Sequence, residues 1–252
     1  MAEKKKKSSS SVMRLCIIRS RSYSRTYDQR FNDLFRHSMS RIGSQAMILT
    51  AGYNSKQESI NHLHGMTLSS VSSLSVKPIP LVEFNLHLPS YTSQSLHSEG
   101  ILALHILPPT PRAVSLGRIF ASGVKRDISK KDSGTFVVPH RKGEANDDVF
   151  EEMTTPFKNI PQREWFTFKY NDSVDIPIIK EAERVFLCEK YRVFEVDSHE
   201  LWVARVTNII GGNPKYKVDD NSNKTGGLLY FNRAFHRIGD NLNERTSDIY
   251  NK

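Results

Sequence analysis

The sequence predicts a mainly β fold, an antiparallel barrel with a few short helices at its periphery. Three observations predict it. Short apolar runs recur along the chain, at residues 46–53, 81–88, 101–107, 165–170, 185–196, 199–210 and 228–231. Helical spacing of apolar residues is confined to brief segments between them. Two of the β-rich runs, Val185 to Val196 and His199 to Ile210, are separated only by Asp197-Ser198, a two-residue hairpin signal.

The 252 residues are enough for one sizeable core, or for a domain with appendages. A hydrophobic content of 38% and a charged content of 25% fit a globular chain. No apolar run reaches the roughly 18 residues needed to span a bilayer. Cys16 and Cys188 are the only cysteines, far apart and in dissimilar contexts. That argues against a disulfide framework or a zinc site. The net charge of +9 is concentrated at one end: residues 1–27 hold eight basic side chains against Glu3, or +7, leaving +2 for the rest. A nearly neutral body carries no electrostatic footprint for nucleic acid.

Residues 1–27 have the composition of a mitochondrial targeting segment: Arg-rich, Ser-rich and without an acid after Glu3. Arg21-Ser22-Tyr23-Ser24 resembles a matrix-processing site, so the expected location is the mitochondrial matrix. A lysine block and four serines precede Met13, which makes Met13 an alternative start of translation. A disordered basic tail and a nuclear signal at Lys4 to Lys7 are the competing readings.

Asp28 to Ile42 reads as a helix, with Phe31, Leu34, Phe35, Ser38 and Ile42 on one face. Ala46 to Tyr53 reads as a strand and Gly52 to His64 as a polar loop. Gly65 to Ser75 follows, and seven of its eleven residues are Gly, Ser or Thr. Such residues let a ligand approach the backbone closely and offer hydrogen bonds; a Ser-rich surface loop is the alternative. Pro78 and Pro80 precede strand Leu81 to Leu88. Ser90 or Thr92 suits the N-cap of a short helix through His97, and a hydroxyl-dressed helix N-terminus is a natural anion site. Ile101 to Leu107 is a strand, and Pro111 opens a helix to Phe120. Residues 125–161, charged and without apolar periodicity, read as an inserted, partly mobile loop. Trp165 to Tyr170 reads as a strand facing the core. Pro177 to Glu183 reads as a brief helical segment. The domain is expected over residues 28–245, with a polar tail over 246–252.

Rival chemistries lack their motifs. Neither a dinucleotide fingerprint nor a phosphate-binding loop follows a strand, and GxSxG, HExxH and paired CxxC are absent. His62 and His64 sit two apart without a third ligand, so no metal is expected. His199 opens its strand directly after the hairpin turn. It either caps the turn or serves the site by holding a cofactor or donating a proton.

Taken in order, these pieces resemble the flavin reductase-like family, the FMN-binding split barrels. The strand Ala46-Met47-Ile48-Leu49-Thr50 is similar to the family's opening. Gly65-Met66-Thr67-Leu68-Ser69-Ser70, then Ser75 and Pro80-Leu81-Val82, resembles its flavin loop. Ser90-Tyr91-Thr92 resembles the next flavin segment. Asp197-Ser198-His199 resembles the late hairpin, and Leu229-Tyr230-Phe231 with Phe235-His236 the closing strand. His105 stands where the family often has asparagine. The resemblance implies a split barrel, a homodimer, and an FMN (or FAD) cofactor reduced by hydride from NAD(P)H. Within the loop that begins at Gly65 and reaches Ser75, it implies that Met66, Thr67, Leu68, Ser69 and Ser70 border the ring and ribityl chain. Ser90, Thr92 and Ser95 would lie near the phosphate, and His199 near the nicotinamide or flavin. The alternative function is a split barrel retained as a mitochondrial assembly or binding factor with little catalysis.

Overall fold

The computed structural model describes residues 29–57, 59–122, 124–126, 151–153, 155–212 and 224–239, without the side chains of 124–126 and 151–153. Residues 1–27, read as a targeting segment, the 246–252 tail and most of the 125–161 insert lie outside these residues. The chain divides into two compact units, residues 1–39 and 40–252.

In the first unit, α1 spans Gln29–Met39. It carries the expected apolar stripe, and Phe31, Leu34 and Phe35 are exposed on it.

The second unit is built from β1 (Ser44–Gln45), β2 (Met47–Ala51), β3 (Tyr53–Asn54), β4 (Gly65–Leu68), β5 (Ser72–Ser75), β6 (Leu81–His87), α2 (Tyr91–Glu99), β7 (Ile101–Ile106) and α3 (Pro111–Ala121). It continues with β8 (Val124–Arg126), β9 (Glu151–Met153), β10 (Trp165–Lys169), β11 (Val174–Ile179), β12 (Arg184–Val196), β13 (His199–Ile210), β14 (Leu229–Phe231) and β15 (Ala234–His236). Seven strands form the main sheet in the order β4-β2-β7-β12-β13-β6-β5, with antiparallel neighbours throughout. Three smaller sheets are β10-β11-β3, β1-β14-β15 and β8-β9. The expected barrel is therefore corrected in one respect: the ladders leave β4 and β5 as outer strands, and the sheets are not closed. Beside its pairing with β2, β4 also meets α3: the Thr67 hydroxyl donates to the Gly117 carbonyl at 2.7 Å.

Alternation along the strands produces two cores, one on each face of the main sheet. On β7, Ile101 and Ala103 enter the first core, while Leu102 and Leu104 enter the second. Residues of α3 (Ala113, Leu116, Phe120), β10 (Trp165) and β11 (Ile176, Ile178) complete the first. Leu96 of α2 joins Phe84, Leu86 and Trp202 in the second.

Several further readings change. Pro177 to Glu183 is not helical: Val174–Ile179 is a strand whose residues 175–179 pair with β10, and Ile176, Ile178 and Ile179 are fully buried. Its β-branched content and burial outweigh the helix-opening tendency of Pro177. The insert also has apolar anchors, because Phe157 and Ile160 lie in the first core. The expected strand over 46–53 breaks at Gly52, where a Cβ would lie 2.9 Å from Val174 Cγ1 and 3.2 Å from the Ile101 carbonyl. The closing strand, read over Leu229-Tyr230-Phe231 with Phe235-His236, is a hairpin of β14 and β15. Its turn residues Asn232 and Arg233 both have positive φ, at 46° and 62°, without the glycine that usually marks such a turn.

Candidate functional site

The stretch opening at Gly65 is part strand and part edge. Gly65 permits close packing: a Cβ there would lie 2.6 Å from the Leu49 carbonyl and 3.0 Å from the Phe120 ring. Thr67 points to α3, where its hydroxyl is spent on Gly117, whereas Met66 and Leu68 pack into the second core. The chain leaves the sheet at Ser69, which is exposed, and returns as edge strand β5. Ser70 Oγ accepts from Asn85 N at 3.1 Å. Further along, Ser72 Oγ donates to Glu83 Oε1 at 2.9 Å and Ser75 Oγ to the Lys77 carbonyl at 2.9 Å.

Ser90 is the N-cap of α2, in extended backbone, accepting from Ser93 N at 3.2 Å. Ser90, Thr92 and Ser93 are buried and Ser95 is half-buried. The first turn contains no acidic residue, so the partial positive charge of the helix N-terminus is uncompensated from within the helix. His64, just before β4, stacks on Tyr91 at 5.6 Å between ring centroids. Burial first, and then the neighbouring His62, lowers its pKa to about 4.

His199 follows the Asp197-Ser198 turn, where Asp197 takes φ +50°. It is exposed and directly opposite His87 of β6, the two rings meeting edge-on at 4.9 Å. Ser198 Oγ lies 3.3 Å from His199 Nδ1, and Leu88 N donates to the Ser198 carbonyl at 2.8 Å. The next residue, Glu200, is buried and receives Ser93 Oγ, Trp202 Nε1 and His97 Nε2 at 2.6, 2.8 and 2.8 Å. Burial raises its carboxyl pKa, but these three partners outweigh it and the net shift is downward.

Strand β6 organises the site. Ser70 is bonded to Asn85, His87 faces His199, and Ser90 lies three residues beyond His87. Ser69, Ser70, His199 and the start of α2 therefore gather at one end of β6. Ser75 does not join them: it is registered with Leu81, six residues from His87, or about 20 Å at ~3.3 Å per residue. Sequence reasoning missed His87 and Glu200. His87 acquires its partner only through the pairing of β6 with β13, and no local pattern announces that pairing. Glu200 reads as one more polar residue beside a turn, and only strand alternation after His199 could have turned it inward.

On β7, His105 is fully buried, with Nδ1 donating to the Ile48 carbonyl at 2.9 Å and Nε2 unpartnered. Burial lowers its pKa to about 4, against the smaller upward pull of the Ile48 carbonyl, so the ring is neutral at pH 7. Among the described residues, no group of three His, Cys, Asp or Glu could hold a metal ion, and no helix is long and apolar enough to cross a membrane.

Residues 39–239 match the family described as flavin reductase like domain. Solved structures share the fold. The NADH:FAD oxidoreductase of Streptomyces globisporus C-1027 is 18% identical, with a TM-score of 0.54 over 84% of this chain and 96% of that one. A flavin reductase domain protein from Arthrobacter sp. FB24 is 18% identical, with a TM-score of 0.54 over 84% of this chain and 98% of that one. The flavin reductase of styrene monooxygenase from Pseudomonas putida S12 is 19% identical, with a TM-score of 0.51 over 82% and 99%. The Streptomyces enzyme has also been solved with NAD and FAD fragments.

Proposed function

The chain belongs to the flavin reductase-like family, and from that premise we propose that it is a flavin-binding oxidoreductase taking hydride from NAD(P)H. The observation that carries the reading is the convergence at one end of β6: a serine-lined turn, a capped helix N-terminus and His199. The residues present fit a flavin nucleotide. A helix N-terminus with a serine cap and no acid in its first turn suits a phosphate. The exposed turn at Ser69 lets a planar ring approach main-chain donors. Bound there, the flavin supplies the two-electron chemistry.

The chain's own part is to bind and align. The start of α2 holds the anionic end through Ser90, Thr92 and Ser95. The Ser69–Ser70 turn directs main-chain N–H groups at the polar edge of the ring, where charge grows on reduction. His199 contributes a hydrogen-bonding imidazole beside the place where the two rings must meet face to face. Thr67 supports this wall from behind through Gly117.

FMN as the preferred flavin, a homodimer that completes a split barrel, and a mitochondrial matrix location extend the proposal. Exposed Tyr191, Phe194 and Val196, on the part of β12 beyond its pairing with β7, are apolar surface of the kind a second copy covers. Sedimentation at the mass of a single chain would remove the dimer. An intact residue 1–27 segment on protein isolated from mitochondria would remove the presequence.

The decisive experiment is anaerobic titration of the full chain with FMN or FAD, followed by NADH or NADPH. Flavin absorbance is expected to shift on binding and bleach on nucleotide addition. His199→Ala is expected to slow bleaching by about 100-fold, within the range for losing a positioned proton-transfer group, and to leave flavin binding nearly unchanged. A chain that neither binds flavin nor oxidises NAD(P)H refutes the proposal.

A further inference from the structure

We propose that Glu200 is a positioning residue that fixes the phosphate-binding end of α2 relative to His199. The inference rests on the flavin-binding reading and goes beyond it, because it assigns a role to a buried side chain bonded only to other groups of the chain.

Glu200 follows His199 on β13, so strand alternation turns the two side chains to opposite faces: His199 is exposed and Glu200 buried. A carboxylate in that position is costly unless its oxygens are paired. Both are. Oε2 accepts from Ser93 Oγ at 2.6 Å and from Trp202 Nε1 at 2.8 Å, while Oε1 faces His97 Nε2 at 2.8 Å. Ser93 and His97 are four residues apart on α2, so one carboxylate grips two successive turns of the helix. Trp202 in turn lies against His97, at 4.8 Å between ring centroids, and against Phe84, at 6.2 Å and nearly parallel.

This grip matters because the other contacts of α2 are few: Leu96 in the second core, and Tyr91 stacked on His64. Its nine residues include only one buried aliphatic side chain, Leu96; the other buried ones are Thr92 and Ser93. A helix of that length is not stable by itself in water and takes its place from tertiary contacts. The polar clamp therefore sets where the first turn of α2 sits. It does so from the residue adjacent to His199, which couples the two ends of the proposed site through one side chain.

The test compares FMN with riboflavin, which has the same ring without the phosphate, by fluorescence titration of the full-length chain. Glu200→Ala is expected to weaken FMN binding by ~10-fold or more, the scale of losing a charge-assisted hydrogen-bond set, and to change riboflavin binding by less than ~3-fold. Glu200→Gln is the conservative control. Its Oε1 takes Ser93 and Trp202, and its amide donates to His97 Nε2 in the Nδ1–H tautomer. FMN affinity is expected to return to within ~3-fold of the natural chain. Ser93→Ala releases one helix contact and leaves the carboxylate in place; it is expected to give a smaller loss confined to FMN, and it decides the matter if Glu200→Ala does not fold. Equal losses of both flavins in folded variants, or unchanged FMN binding, overturn the proposal. If the natural chain binds neither flavin, the underlying function is refuted, and that result is distinct from a failure of the clamp alone.

Discussion

Replacing Phe157 with alanine is expected to lower the unfolding free energy by about 3–5 kcal/mol, the range for deleting a buried aromatic side chain. The ring is fully buried and meets Phe120 edge-on at 5.2 Å and Trp165 edge-on at 5.3 Å. Its segment is pinned as well: Thr155 caps the short turn over Pro156–Asn159 and donates its hydroxyl to the Leu63 carbonyl. The loss should propagate toward the site, because the Phe120 ring also packs over Gly65, the residue that opens β4. Chemical denaturation with the slope m held in view measures the effect. A change below about 1 kcal/mol would show that this segment is not part of the cooperative core.

That anchor was not legible in the sequence, and the reason is physical. Phe157 and Ile160 sit among prolines and charges, without the periodicity that reports an element lying on a core. The same limit explains β11, where Pro177 suggested a helix start. The strand is specified by its pairing with β10 and by isoleucines buried from both sides, and Pro177 still serves, accepting at its carbonyl from Thr50 Oγ1 at 2.8 Å. Local chemistry was readable where it acts locally. Ser90 caps α2, Pro111 opens α3, and Asp197-Ser198 turns β12 into β13. At the site, the hydroxyl-rich stretch was visible but its facing was not. Alternation on β4 commits Thr67 to α3, and the edge pairing of β5 carries Ser75 toward the far end of β6. Burial of His105 was equally hidden: a histidine in an apolar run reads the same whether its ring meets water or core.

That buried ring gives the second large effect, a loss of stability on mild acidification. In the unfolded chain His105 titrates near 6.5, whereas in the fold its pKa is lowered to about 4 by burial. Below pH 6.5 the unfolded state therefore takes up a proton that the native state does not. Stability must fall with falling pH through this window and level off below about 4, where the native ring also protonates. Between pH 7 and 5 the contribution is about 2 kcal/mol, at roughly 1.4 kcal/mol per unit of pH once the unfolded ring is mostly charged. His64, whose pKa is also lowered to about 4, adds to the same slope in the same direction. His105→Asn isolates the contribution of that ring. Its amide retains a donor for the Ile48 carbonyl, yet nothing at that position titrates in the window. Its denaturation midpoint should depend on pH less steeply than that of the natural chain, even if the variant is less stable throughout. Parallel midpoint curves for the two proteins between pH 7 and 5 would mean that the native ring charges as freely as the unfolded one, and that the second nitrogen of His105 has access to water.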